Sequence, residues 1–203
     1  EPRLVVHYAS LDQDTSVFDV KEAYEDGDAD FHTIVAKMAD IPRSAAKTIN
    51  LGLFYGMGKA KLQAELGVSK DKAEELFSIY HSRVPFVKSL TKSVSNRAQQ
   101  RGQIRTLLGR LCRFHLWEPN TFGMHKALPF EQAVQEHGPG IKRAYTYKAL
   151  NKLIQGSAAD MTKKSMLDLY KEGIVAHIQI HDELDVSVES PEQAKKIVEI
   201  MEN

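Results

Sequence analysis

The 203-residue sequence predicts an α+β chain that is mostly helical and carries a β-hairpin with an acidic turn. Three observations predict it. Through 42–58, PRSAAKTINLGLFYGMG, the residues Arg43, Lys47, Leu51 and Tyr55 recur at every fourth position, which keeps them on one slowly drifting helix face. Residues 141–173 read as a long helix stopped by Gly173. In 174–189 the pattern alternates, with Ile174, Ala176, Ile178 and Ile180 on one side, and it resumes in LDVSV beyond a turn at His181–Asp182–Glu183.

In chain order, 1–11 is an apolar element capped by polar residues, and 12–30 is acidic, with Gly27 as a turn. ADFHTIVAKMA then predicts a helix, in which His32 reads as a structural histidine satisfied by a hydrogen bond. Asp40 and Pro42 mark the start of the next helix, because an acidic cap satisfies orphan N–H groups and proline suits the first turn. At 1.5 Å per residue, Arg43 to Leu51 spans roughly 12 Å and Arg43 to Tyr55 roughly 18 Å, about the length of a nucleoside triphosphate. Two cations at the positive end of this helix suit phosphates, and an apolar then an aromatic side chain suit the sugar and base. The same pattern also describes an amphipathic surface helix with two solvated cations.

A short helix over 59–65 ends at Gly67, and Ser69 caps the next, with Glu74 as its reciprocal partner and Pro85 closing it. Ala73, Leu76, Phe77 and Tyr80 are its core positions. Residues 84–100 form a basic amphipathic helix broken by Gly102, and 103–114 a hairpin with Gly109 at the turn. Residues 116–140, punctuated by Pro119, Pro129 and Pro139, read as a loop with one short helix and no assigned function.

Composition bounds the partners only through distribution. Formal net charge is zero, yet no acidic residue occurs between Glu75 and Glu118, where Arg83, Lys88, Lys92, Arg97, Arg101, Arg105, Arg110 and Arg113 are strung out. Such a stripe neutralises phosphates, or is simply a solvated helix face. The single Cys112 excludes an internal disulfide and fits a reducing compartment. No apolar run reaches membrane-spanning length. The chain opens at Glu1 without Met and stops at Asn203 within a helical pattern, which reads as a piece of a longer protein.

R-x3-K-x7-YG at Arg43–Tyr55–Gly56 resembles the nucleotide-binding fingers helix of family A DNA polymerases, the DNA polymerase I type. NKLIQGSAAD (151–160) and QIHDELDVSVE (179–189) resemble two further motifs of that family in the same order, and TLLGR resembles its Thr-Leu-x-Gly-Arg turn. The wording of IHDEL and LGLFYGMG is most like phage-borne members. The resemblance implies right-hand polymerase architecture, with a palm segment at 1–31, fingers at 32–140 and a second palm segment at 141–203. It also implies a template-directed DNA polymerase that adds dNTPs to a primer 3′ end, with primer–template DNA and dNTPs as partners, no membrane, and a cytoplasmic location.

By the same resemblance, Arg43, Lys47, Leu51, Tyr55 and Glu1 meet the incoming dNTP, Glu1 as the gate against a ribose 2′-hydroxyl. Asn151, Gln155, His181 and Arg110 contact DNA; neutral amides such as Asn151 and Gln155 suit the minor-groove edge, whose acceptors vary little with sequence. Asp182 is a metal ligand for one of two Mg²⁺ ions, Glu183 an acidic support, and Lys47 a proton donor to pyrophosphate. The second bridging aspartate falls just before residue 1. Two departures stand out: Leu51 occupies a slot usually aromatic, and Tyr147 one often held by arginine. A single-subunit RNA polymerase, with a similar fingers helix, and a catalytically silent nucleic-acid-binding module are the alternatives. Glu1 argues against the first and intact Arg43, Lys47 and Asp182 against the second.

Overall fold

Apolar residues at helical spacing build one core, and that core sets the position of everything else. The computed structural model describes residues 1–25, 30–121, 123 and 125–202. The expected Gly27 turn lies outside them. Helix α1 (Pro2–Leu11) buries Leu4, Val5, Val6 and Ala9 against α7 (Pro85–Arg101), whose buried Phe86, Val87, Leu90, Val94 and Ala98 follow the 3.6-residue repeat. Around this pair lie α2 (Phe18–Glu25), α3 (Phe31–Ala39) and α4 (Arg43–Phe54). Phe31 of α3 joins the layers, its ring centroid 5.6 Å from Phe54 and 6.3 Å from Phe86. Burying an aromatic or leucine of this kind contributes roughly 1.5–3 kcal/mol.

Asp40 does not cap α4. It ends α3 in a left-handed conformation, φ 51°, and the cap position of α4 falls to Pro42, which offers no side-chain bond. Proline there holds φ at −58° and has no backbone N–H to satisfy, so the helix starts without an acidic cap. At its other end α4 stops at Phe54, and Tyr55 sits just past the last turn.

Helix α5 (Lys59–Leu66) ends at Gly67, φ 63°, and α6 (Lys70–Arg83) starts at Ser69, whose hydroxyl accepts from the Lys72 N–H at 3.2 Å. Glu74 does not complete that cap; the reciprocal position is held by Lys72, two residues earlier, and Glu74 pairs instead with Lys59 at 3.6 Å. Ala73, Leu76 and Tyr80 are buried and Phe77 packs against the core as expected. The hairpin β1 (Gln103–Arg105) and β2 (Leu111–Arg113) pairs antiparallel, with Gly109 at φ 84° in its turn.

Two expectations are corrected beyond it. Residues 116–140 are more than a loop: β3 (Trp117–Pro119), then α8 (Phe130–His137), then a return to β4 (Ile141–Arg143), which pairs with β3 in the register Trp117↔Arg143. The long helix accordingly begins later than residue 141. A 3₁₀ turn at Thr146–Lys148 leads into α9 (Ala149–Lys171), because Ile141–Arg143 is committed to the strand pair. Gly173, φ 77°, follows its end, where the Ile174 N–H returns to the Leu169 carbonyl.

The alternation after α9 yields strands shorter than the pattern. Only β5 (Ile178–Ile180) and β6 (Glu183–Asp185) pair, so Glu183 is the first strand residue and the turn narrows to His181–Asp182. With few strand partners to extend the ladder, 174–177 and 186–189 stay outside it. Helix α10 (Pro191–Glu202) closes on α9, burying Ile197. No helix among the described residues is long and apolar enough to cross a membrane.

Candidate nucleotide and nucleic-acid site

Three of the site residues singled out in the sequence, Glu1, Arg43 and Asp182, line one open cleft of about 710 Å³, together with Asp30, His32 and, from α9, Met161 and Thr162. Four separate elements supply them. Glu1 stands at the N-cap of α1, Asp30 and His32 at the start of α3, Arg43 at the first turn of α4, and Asp182 at the tip of the β5–β6 hairpin. Residues 181 positions apart in sequence thus meet because the core packs α1 on α7 and α9, and α3 on α4.

Asp30 is the hinge pin of this arrangement. Its carboxylate accepts from the Thr33 hydroxyl at 2.6 Å, from the His32 N–H at 3.3 Å and from Arg43 Nε at 2.6 Å. The Arg43 guanidinium and these further bonds hold its carboxyl well below the usual carboxylate range. Arg43 is therefore anchored at Nε while its side chain remains exposed to the cleft. His32 is hydrogen-bonded as expected: its Nδ1 lies 2.9 Å from the Asn50 amide nitrogen. Burial lowers its pKa; Asp30 pulls upward, while the charges of Arg43 and Lys47 add to the lowering.

Further along α4, Lys47 is exposed and Leu51 half-buried; neither is among the residues lining the cleft. Tyr55 turns inward. Its hydroxyl is shut off from water and finds no well-formed hydrogen bond among the described residues, with Glu1 and Gln155 facing it. Burial first, then the Glu1 carboxylate, pushes the phenol far above its ordinary range. Glu1, Tyr55 and Gln155, from α1, the end of α4 and α9, are thereby brought together.

On α9 the two amides stand one turn apart, Asn151 half-buried and Gln155 exposed. Arg110 is placed differently from Asn151 and Gln155. Its Nε and Nη2 both lie 2.8 Å from Asp160 Oδ1, and Nη2 also donates to the Gly156 carbonyl at 2.7 Å. Arg110 thus spends its donors on α9 itself. Asp160 is buried; burial raises its pKa, but bonds from Thr106, Arg110 and the Leu108 N–H outweigh this and leave it lowered. Ser157, also buried, takes the Leu107 N–H at 3.0 Å and shares a 2.7 Å bond with the Tyr8 hydroxyl. A Cβ on Gly156 would fall 2.7 Å from Thr106 Cγ2, so glycine is what lets the TLLGR turn lie on the helix.

Sequence reasoning did not find this clamp of Tyr8, Thr106, Ser157 and Asp160. Its only trace was the small-residue run GSAA ending in an acid. Asp182 and His181 sit exposed in the turn, His181 at φ 52° with its carbonyl accepting from Gln179 Nε2 at 2.5 Å. Asp182 makes no ion pair among the described residues, so its carboxylate oxygens are free to meet a hard cation. The described residues do not by themselves gather three metal-ligating side chains.

Comparison with known proteins bears directly on this geometry. The family model described as DNA polymerase family A matches residues 7–203. A DNA-directed DNA polymerase of Pseudomonas phage M6 is 31% identical over 99% of this chain and 33% of its own length. DNA polymerase I of Rhizobium leguminosarum is 27% identical over 100% of this chain and 20% of its own. The chain thus spans a third or less of these relatives. Among solved structures, the POL domain of Pol1 from M. smegmatis, in complex with DNA primer-template and dNTP, superposes with a TM-score of 0.64 at 27% identity, covering 85% of this chain and 30% of that one.

Proposed function

The chain belongs to DNA polymerase family A, and on that premise we propose that it forms the fingers and part of the palm of a template-directed DNA polymerase. The division proposed is palm at 1–31, fingers at 32–140 and palm again at 141–203. The observation that carries the reading is the single cleft shared by Glu1, Arg43 and Asp182. A nucleotide whose triphosphate lies against Arg43 and Lys47 would direct its sugar toward Leu51 and Glu1 and its base toward Tyr55.

In the reaction, the primer 3′-oxygen attacks the α-phosphorus, the bond to pyrophosphate breaks, and the 3′-hydroxyl proton passes to solvent water. Arg43 holds the developing charge, its orientation fixed by Asp30 through Nε. Lys47 supplies a proton to departing pyrophosphate. Glu1 crowds a ribose 2′-hydroxyl, and Tyr55, packed against Glu1 and Gln155, fixes that wall. Asn151 and Gln155 receive the minor-groove edge of the newest base pairs, with His181 at the primer side and Glu183 as acidic support. Arg110 acts on DNA through the turn it fastens to α9. Asp182, exposed at the hairpin tip, would supply one carboxylate to hold Mg²⁺. Held in part by Asp182, such an ion would supply charge stabilisation to the oxygens of the reacting phosphate. Catalysis is then largely positioning and charge stabilisation.

The test is primer extension by the full-length protein with dNTPs against NTPs. Extension restricted to dNTPs, and relaxed toward NTPs by Glu1→Ala, is the expected result; efficient extension with NTPs by the parent would move the chain to the RNA polymerase reading.

A further inference from the structure

Helix α1 has Glu1 at its N-cap and Tyr8 two turns further on, a spacing that keeps both on one face. Glu1 belongs to the helical ladder, since its carbonyl accepts from the Val5 N–H at 3.2 Å. At 1.5 Å per residue the two lie roughly 10 Å apart along the axis. Apolar residues bury α1 against α7, but apolar contact is non-directional and specifies orientation weakly. Against α9 the restraint is different in kind. Among the described residues, the one side-chain hydrogen bond between α1 and α9 joins the Tyr8 hydroxyl to Ser157, at 2.7 Å.

Ser157 is a fixed point for such a bond. Its side chain is buried, and its Oγ also accepts from the Leu107 N–H at 3.0 Å, so the turn positions it as well as the helix. Burial, outweighing the Ser157 bond, holds the Tyr8 phenol above its ordinary range and keeps it neutral. From this bond toward Glu1 the space between the helices opens into the cleft, with Glu1 and Leu4 on one wall and Ala158, Met161 and Ser165 on the other. The end of α1 that carries Glu1 therefore borders open space. Tyr55 faces Glu1 from α4 and Gln155 from α9, so the room between these three side chains follows from how α1 lies on α9.

We propose that Tyr8 is a positioning residue for sugar selection: its bond to Ser157 fixes the lie of α1 on α9 and so holds Glu1 where a ribose 2′-hydroxyl would fall. The inference rests on the polymerase reading and on Glu1 as the gate. The Tyr8–Ser157 bond reaches the nucleotide only through the placement of Glu1. A group that selects by contact must be held to within about 0.5 Å by its supporting bonds, and a 1 Å misplacement can cost on the order of a hundredfold.

The experiment measures incorporation of a single dNTP and of the matching NTP by the full-length protein, as parent, Tyr8→Phe, Glu1→Ala and the double variant. Phenylalanine keeps the ring and leaves Ser157 bonded to the Leu107 N–H, so the fold is retained. Tyr8→Phe should lower the ratio of dNTP to NTP efficiency about tenfold, part of what a misplacement of this size commands. The fall should come from more efficient NTP incorporation, with dNTP efficiency within about twofold of the parent, since discrimination is lost and catalysis is not. In the Glu1→Ala background the same substitution should leave the ratio unchanged, because its effect runs through Glu1. An unchanged ratio in Tyr8→Phe, with or without a lower melting temperature, overturns the proposal and leaves the bond a structural one. So does an equal fall of the ratio in both backgrounds, which would mean that Tyr8 acts on something other than Glu1. The premises separate in the same data. A parent that incorporates neither nucleotide sinks the polymerase reading, whereas a selective parent matched by an equally selective Tyr8→Phe sinks only this inference.

Discussion

Side chains on the face of α4 carry the most direct expectations. Lys47 is exposed, so its truncation removes a charge without opening the core. Lys47→Ala should lower the efficiency of dNTP incorporation by roughly 10- to 150-fold, the loss of a charge-assisted contact of about 1.5–3 kcal/mol, with duplex affinity unchanged. Steady-state kinetics beside a binding titration checks this; weaker DNA binding with intact incorporation would move Lys47 to the duplex. Leu51, half-buried, is the second expectation. Leu51→Tyr should improve acceptance of dideoxynucleotides, its hydroxyl standing in for the missing 3′-OH. If Leu51 only fills space, the ring overpacks by about 1–3 kcal/mol and melting temperature falls while dNTP-over-ddNTP selectivity stays flat. His32 is the third. Its pKa is lowered, chiefly by burial, so the unfolded chain binds the proton more readily, and the stability it contributes is present above about pH 6.5 and is lost as pH falls through its folded value. An imidazole titration by NMR should give a midpoint below that of an unstructured peptide; a midpoint at or above it would contradict the packing of His32 against Asn50.

Elements succeed or fail on how they are fastened, and the TLLGR turn is fastened to α9 by Arg110, Asp160 and Ser157. Arg110→Ala leaves a buried carboxylate without its cation and should destabilise the protein by about 1–3 kcal/mol. Because the folded pKa of Asp160 is lowered, its contribution is present above about pH 4 and lost as pH falls through that lower value. The variant should therefore lose stability mainly near neutral pH and converge on the parent in acid. Denaturant melts at pH 7 and pH 3 decide it; a constant difference across pH would mean Arg110 acts through packing alone. The elements differ in how legible they were. Gly67, Gly102, Gly109 and Ser69 announced their own turns and cap, since each acts through local backbone geometry. Asp40 misled because an acid beside a proline suits the end of one helix as well as the start of the next. The β3–β4 pair was hidden because its strands are three residues long and separated by α8, so no alternation could accumulate.

Taken whole, the molecule joins parts that no local pattern could have joined. Row spacing placed Arg43, Lys47 and Tyr55 on one helix, and the HDE turn singled out Asp182. That Glu1, Asp30 and Asp182 share one cleft depends on the packing of α1 against α7 and of α3 against α4, which is a property of the core. For the same reason Arg110 looked like one more member of a basic stripe: only the fold shows Asp160 waiting 50 positions away. The central claim is that this cleft transfers nucleotides, and single-turnover dNTP incorporation by full-length Asp182→Ala, beside its primer–template affinity, tests it most directly. Incorporation should fall by on the order of a thousandfold or more, as when transition-state charge stabilisation is removed, while affinity stays within about threefold of the parent. Incorporation near the parent rate in Mg²⁺ would contradict the claim and remove Asp182 from the metal site.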